Sequence, residues 1–118
     1  MMYDNIQVGR IGESLAREYL KDKGYKILEQ NYRTRYAEID LVARQKDMLV
    51  FVEVRTKVGE RFGTPEDTLN RGKLRKVKRN AEAYVSRLKW NKLYRVDAVC
   101  IVLGDDYAVS RFRHYENV

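Results

Sequence analysis

Asp40 and Glu53 are two acids set in strongly apolar surroundings, Glu38-Ile39-Asp40-Leu41-Val42 and Phe51-Val52-Glu53-Val54-Arg55. Both runs have the composition of strands, over residues 37–44 and 48–57. The intervening Gln45-Lys46-Asp47 is short enough for an antiparallel hairpin. A strand puts alternate residues on one face, so Glu38, Asp40 and Val42 point together, as do Leu49, Phe51, Glu53, Arg55 and Lys57. If the turn holds an even number of residues, paired positions sum to 93, which sets Asp40 opposite Glu53 and Glu38 opposite Arg55.

Side chains opposed in such a pair have Cβ atoms only about 4.5–5.5 Å apart, and like charges there repel. Two carboxylates that close share either a proton or a cation. Hard divalent ions such as Mg²⁺ or Mn²⁺ bind through one or two carboxylates together with water and substrate phosphate. The pattern therefore suggests a metal site for phosphate chemistry. With a three-residue turn the register shifts instead, and both acids become solvated surface charges in ordinary ion pairs. The apolar run Val50-Phe51-Val52 weighs toward a buried strand, where an isolated carboxylate is costly.

The second chemical feature is Arg71-Gly72-Lys73-Leu74-Arg75-Lys76-Val77-Lys78-Arg79, which packs six cations into a short segment. It opens a long amphipathic helix predicted over residues 66–89, because Leu69, Leu74, Val77, Ala81, Tyr84, Val85 and Leu88 recur mostly at three- and four-residue steps. Cations near a helix N-terminus oppose the macrodipole, so this arrangement is mildly unfavourable without an anionic partner. Lys73, Lys76 and Arg79, with Lys57 on the site strand, are the candidates for nucleic-acid phosphate contacts. Most of the tyrosines suit packing; Tyr32 and Tyr36, near the site strand, are the candidates for stacking on bases.

The elements that must hold these residues can be read in order. Ile11, Leu15, Tyr19, Ala16 and Leu20 have helical spacing over residues 8–23, with Gly24 as the stop. Residues 25–32 read as a strand. Residues 59–67, with two glycines and the only proline, read as a mobile loop after the candidate site. Residues 94–103 form a near-continuous apolar strand suited to the middle of a sheet, and residues 107–115 an edge strand.

Composition narrows the function. The 118 residues suit one domain, 1–118, and 44% hydrophobic content suffices for a packed core. Twenty-four Lys and Arg against 17 Asp and Glu give a net charge of +7, which favours a polyanionic partner, nucleic acid before an anionic membrane. The apolar runs are far shorter than the roughly 20 residues of a bilayer span, and Met1-Met2-Tyr3-Asp4-Asn5 has no apolar signal region, so a cytoplasmic location is expected. The single cysteine, Cys100, suits a buried packing role. The single histidine, His114, has no partners for a zinc site.

Gly12-Glu13, Glu38-Ile39-Asp40-Leu41-Val42, Phe51-Val52-Glu53-Val54-Arg55 and Arg95-Val96-Asp97, in this order, resemble the YraN-like family over residues 9–103. The resemblance implies an α/β, restriction-endonuclease-like fold, a central mixed sheet flanked by helices, similar to archaeal Holliday junction resolvases. There an Asp and a Glu-x-Lys triplet form the metal site. By position, Asp40 and Glu53 are the acids, Arg55 stands in the lysine slot, and Glu13 matches the helix-borne acid that resolvases add to the metal site. Ala37 stands where the family usually has Gly. The implied activity is a Mg²⁺- or Mn²⁺-dependent endonuclease on branched or structured DNA, and the resolvase analogy admits a homodimer. Arginine stays charged and cannot serve as a base, though it can stabilise charge on a phosphate, and Lys57 on the same strand face could take part of the lysine's role. Two other classes fit the same residues: a catalytically silent nucleic-acid-binding module, and a subunit that recruits protein partners.

Overall fold

The structure, a computed structural model, describes residues 4–118; residues 1–3, part of the run without an apolar signal region, lie outside the described residues. Helix α1 (Asn5–Asp22) begins earlier than its apolar spacing indicates because Asp4 caps it, its Oδ1 accepting the N–H groups of Ile6 and Gln7 at 2.9 and 3.3 Å. Gly24, at φ +88°, takes the left-handed conformation that ends it. Val8, Gly12, Ala16 and Leu20, four residues apart, make its buried stripe.

Five strands follow: β1 (Lys26–Arg33), β2 (Glu38–Gln45), β3 (Met48–Val58), β4 (Leu93–Leu103) and β5 (Val109–Tyr115), in the spatial order β1-β2-β3-β4-β5. All neighbours are antiparallel except β3 and β4, and that parallel pair needs a crossover, supplied by helix α2 (Arg71–Leu88). The protein is thus an α/β protein with a five-stranded mixed sheet and two helices. Leu41, Val50, Val52, Val99 and Ile101 pack in one core with α1, and Val42, Leu49, Phe51 and Val96 in a second core with α2, as strand alternation requires. β4 is buried from Val96 to Leu103, in keeping with its apolar sequence. Cys100 is fully buried there, and burial pushes its thiol up to about 12, so it is a packing residue. Among the described residues no helix is long and apolar enough to cross a membrane.

The segment expected to be a mobile loop is partly ordered. Pro65–Thr68 forms a 3₁₀ turn closed by a reciprocal cap, with Asp67 N–H on Thr64 Oγ1 and Thr64 N–H on Asp67 Oδ2. Glu66 ties that turn to β5 by accepting from Arg111 Nη2 and Tyr115 Oη, both at 2.6 Å. The turn also takes residues 66–68 out of the predicted long helix, which starts afresh at Arg71 under an Asn70 cap.

Asp97, fully buried in β4, anchors the end of the sheet. Arg95 donates to it through Nε (2.9 Å) and Nη2 (3.2 Å), His114 through Nε2 (2.7 Å), and the Asn117 backbone N–H at 3.0 Å. His114 Nδ1 forms a further hydrogen bond with the Tyr19 hydroxyl at 3.1 Å. Burial alone raises the Asp97 carboxyl, but the hydrogen bonds from His114, Arg95 and Asn117 outweigh it and hold the group below its ordinary value. The stabilisation is therefore complete above the unfolded value of 3.8 and is lost as pH falls through the lower folded value. Asp97→Asn should lower stability at neutral pH by about 3–5 kcal/mol, the range for breaking a buried ion pair. In urea melts, the gap between wild type and variant should close only in strong acid.

Candidate functional site

The hairpin turns through two residues, Lys46 and Asp47, and the β2–β3 pairs from Gln45↔Met48 to Leu41↔Val52 have the register expected for an even turn. The ladder stops there. β2 goes on pairing only with β1, through Tyr32↔Ile39 and Arg33↔Glu38, whereas β3 goes on with β4 as far as Val58. The two strands therefore fork, and the fork opens at Asp40 and Glu53. Val54 N–H, left without a backbone acceptor on β2, donates to Asp40 Oδ2 at 2.7 Å.

Glu53 is only 3% exposed, beside Asp40. Burial, hydrogen bonding to Asp40 and repulsion from Asp40 push its carboxyl up to about 9, against the opposing pull of Arg55. Arg55 Nη2 donates to Glu53 Oε2 at 3.0 Å, and Lys73 Nζ approaches the same oxygen at 4.0 Å. The expected opposition of Glu38 and Arg55 does not form, because both lie beyond the fork: Glu38 Oε2 pairs with Arg33 at 2.7 Å on β1 instead.

Glu13 reaches the site from α1. Burial and the neighbouring Asp40 raise its carboxyl, while a hydrogen bond from Asn31 opposes the rise. With its amide nitrogen turned to the acids, Asn31 donates to Glu13 Oε2 at 3.2 Å and Glu38 Oε1 at 3.1 Å. Its left-handed φ of +51° is uncommon for a non-glycine residue and marks a locally constrained position within β1. Gly12 sets how closely α1 approaches. A Cβ there would lie 1.7 Å from Thr56 Oγ1 and 2.8 Å from Thr56 Cβ, so no rotation of Thr56 makes room.

The fork, the first half of α1 and the start of α2 enclose a cleft of about 770 Å³. Asp40, Glu53, Glu13 and Arg55 line it, together with Lys57, Lys73 and Lys76. Arg79 does not; it borders a shallow groove with Arg71, Arg75 and Lys78. Tyr32 packs edge-on against Tyr84 in the α2-side core and is a packing residue, not a free stacking surface. Tyr36 lines the cleft and is 71% exposed.

The donor set suits a hard divalent ion. Asp40 and Glu53 offer adjacent carboxylate oxygens, the oxygen ligands such an ion takes. Among the described residues no three His, Cys, Asp or Glu side chains gather tightly enough to bind one ion together. The fit is therefore to two protein carboxylates, with the other positions left to water and phosphate. Asn31 and Thr56 were not legible as site residues: the first depends on an unusual backbone conformation, the second on the approach of α1.

These features define an α/β protein with a carboxylate pair at a forked sheet and a lysine-lined cleft above it. Residues 12–101 match the uncharacterised protein family UPF0102, and the chain belongs to that family, the YraN-like family of its motifs. It is 43% identical over 112 residues to a UPF0102 protein of Thermodesulfovibrio yellowstonii, covering 95% of each chain. It is 38% identical over 106 residues to one of Clostridium botulinum, covering 88% of this chain and 86% of the other. A UPF0102 protein of Fervidobacterium nodosum is 39% identical over 114 residues, covering 97% of this chain and 83% of its own.

The raised Glu53 carboxyl bears on stability. Between the ordinary value of 4.5 and about 9 the folded state keeps a proton that the unfolded chain has released, so stability falls as pH rises through that window. Glu53→Gln should remove that slope. In the absence of metal its thermal midpoint should exceed that of wild type at pH 8, and the two should converge as pH approaches 4.5.

Proposed function

We propose that the cleft binds the phosphodiester backbone of nucleic acid, DNA in the first place, and hydrolyses it with a divalent ion held by Asp40 and Glu53, within a restriction-endonuclease-like fold. The observation that carries this reading is the carboxylate pair at the fork, faced by Arg55, Lys57, Lys73 and Lys76 in one cleft. A bound Mg²⁺ or Mn²⁺ supplies neutralisation of phosphate charge and acidifies water.

The chain's own residues do the positioning. Asp40 is fixed by the Val54 N–H, so its carboxylate cannot swing away from the fork. Glu53 is held by Arg55. Lys73 and Lys76 orient the backbone as cations at the helix N-terminus, and Arg55 stabilises the charge that develops on the phosphate. Glu13, tied to Asn31, extends the acidic wall. Lys57, on the strand face of Glu53, adds a further cation to the cleft wall, with its Nζ 3.5 Å from the Phe62 carbonyl oxygen.

A second reading, a silent nucleic-acid-binding module, draws support from one residue: Arg55, whose fixed charge denies the site the basic amine of the wider nuclease motif. A cleavage assay over duplex, flap and four-way-junction DNA with Mg²⁺ and Mn²⁺ decides between the two. Isothermal titration with Mn²⁺ should show a site in wild type that Asp40→Asn removes; the asparagine can still accept from Val54 N–H, so the fold should persist. Equal Mn²⁺ binding by both proteins would sink the metal site. For an active enzyme, Arg55→Ala should lower turnover by on the order of 10²–10³ with metal affinity little changed, and Arg55→Lys should retain activity. Undiminished cleavage by Arg55→Ala would refute that role.

A further inference from the structure

Two aromatic rings stand out in solvent, one lining the cleft and one in a turn whose backbone meets a cleft residue. Tyr36 is 71% exposed and lines the cleft between β1 and β2. Phe62 is 89% exposed in the turn that follows β3, where its carbonyl oxygen lies 3.5 Å from the Nζ of the cleft residue Lys57. Each follows an arginine in sequence, and that arginine lies over its ring: Arg35 at 5.3 Å from the Tyr36 centroid, Arg61 at 5.5 Å from that of Phe62. Neither ring belongs to either hydrophobic core. The fold gains little from leaving them there.

An exposed aromatic with a cation beside a basic cleft has the composition of a single-strand stacking platform: the ring takes a base face and the cation takes the backbone. A continuous duplex offers no base face, because its bases are stacked on one another. The cleft itself, at about 770 Å³, has room for an unpaired nucleotide or two. Resting on the function proposed above, we infer that Tyr36 and Phe62 stack on unpaired bases, so that the cleft selects nucleic acid with a single-stranded segment at the site, such as a tail, flap or gap, over continuous duplex.

Binding can be read by fluorescence anisotropy with three labelled probes: a short oligothymidylate, a blunt duplex of matched length, and that duplex with a single-stranded tail. Wild type should prefer the two probes with unpaired bases. Tyr36→Ala and Phe62→Ala should each weaken those two by roughly 5- to 150-fold, the span of base–aromatic stacking, and change the blunt duplex little. Their salt slopes should stay at the wild-type value, whereas Lys73→Ala combined with Lys76→Ala should lower the magnitude of the duplex slope by about 2, near one per phosphate contact. Tyr36→Phe, which keeps the ring, should bind as wild type. 2-Aminopurine in the tail should change emission on binding wild type and not the alanine variants. Salt-sensitive binding with no preference for unpaired bases, or alanine variants that weaken all probes equally, would overturn the stacking inference and leave the nucleic-acid reading standing. No salt-sensitive binding to any probe would overturn both.

Discussion

The hydrogen bond from Val54 N–H to Asp40 Oδ2 is the interaction on which the architecture around the cleft depends. A strand that loses its partner in mid-course leaves backbone donors facing a low-dielectric interior, at a cost comparable to a lost hydrogen bond for each. β2 and β3 part after Leu41 and Val52, and the Asp40 side chain takes the place of the next backbone acceptor. One carboxylate thereby permits the fork and stands at its apex. With a side chain unable to accept there, the strands would either zip further, closing the cleft, or leave Val54 N–H unpaired.

The fork gathers two features that are each unfavourable when taken alone. One is Glu53, nearly sequestered from water and beside another acid; the other is a helix whose opening residues carry Arg71, Lys73, Arg75 and Lys76 and no acid in the first turn. Their placement partly offsets both, because Lys73 approaches Glu53 and Arg55 bonds it. The compensation is incomplete, since the net effect still raises the Glu53 carboxyl. Places where local rules are broken and not fully repaired nearby are where functional or strained sites are expected.

Much of this was legible in the sequence, and the limits of legibility have physical causes. Helix α1 and the buried β4 follow from periodicity, and the two-residue turn selects the even register of the two that the sequence leaves open. The fork was not legible, because nothing in Glu38-Ile39-Asp40 announces that β2 turns away to β1. The expected Glu38–Arg55 opposition failed for that reason, while Asp40 and Glu53 stayed together at the last point of convergence. Arg79 was grouped with Lys73 and Lys76 by composition. At 3.6 residues per turn Arg79 lies about 120° around the helix from Lys73, and only the two lysines meet the cleft. Asn31 acts through a positive φ, which sequence alone does not reveal.

The chain also contains an internal control on reading buried acids. Arg95-Val96-Asp97 and Glu53-Val54-Arg55 share a spacing: an acid and an arginine two apart on one strand face, in neighbouring parallel strands. Composition does not separate them. In three dimensions Asp97 is enclosed by donors from Arg95, His114 and the Asn117 backbone, and its carboxyl is held low. Glu53 has one arginine, a distant lysine and a second acid, and its carboxyl is driven up. The first acid is saturated and has no capacity left for a ligand. The second is short of positive charge and opens on a cleft whose remaining cations could hold a phosphate. That contrast in satisfaction, not burial itself, distinguishes the acid that holds the sheet from the acid proposed to hold a metal ion.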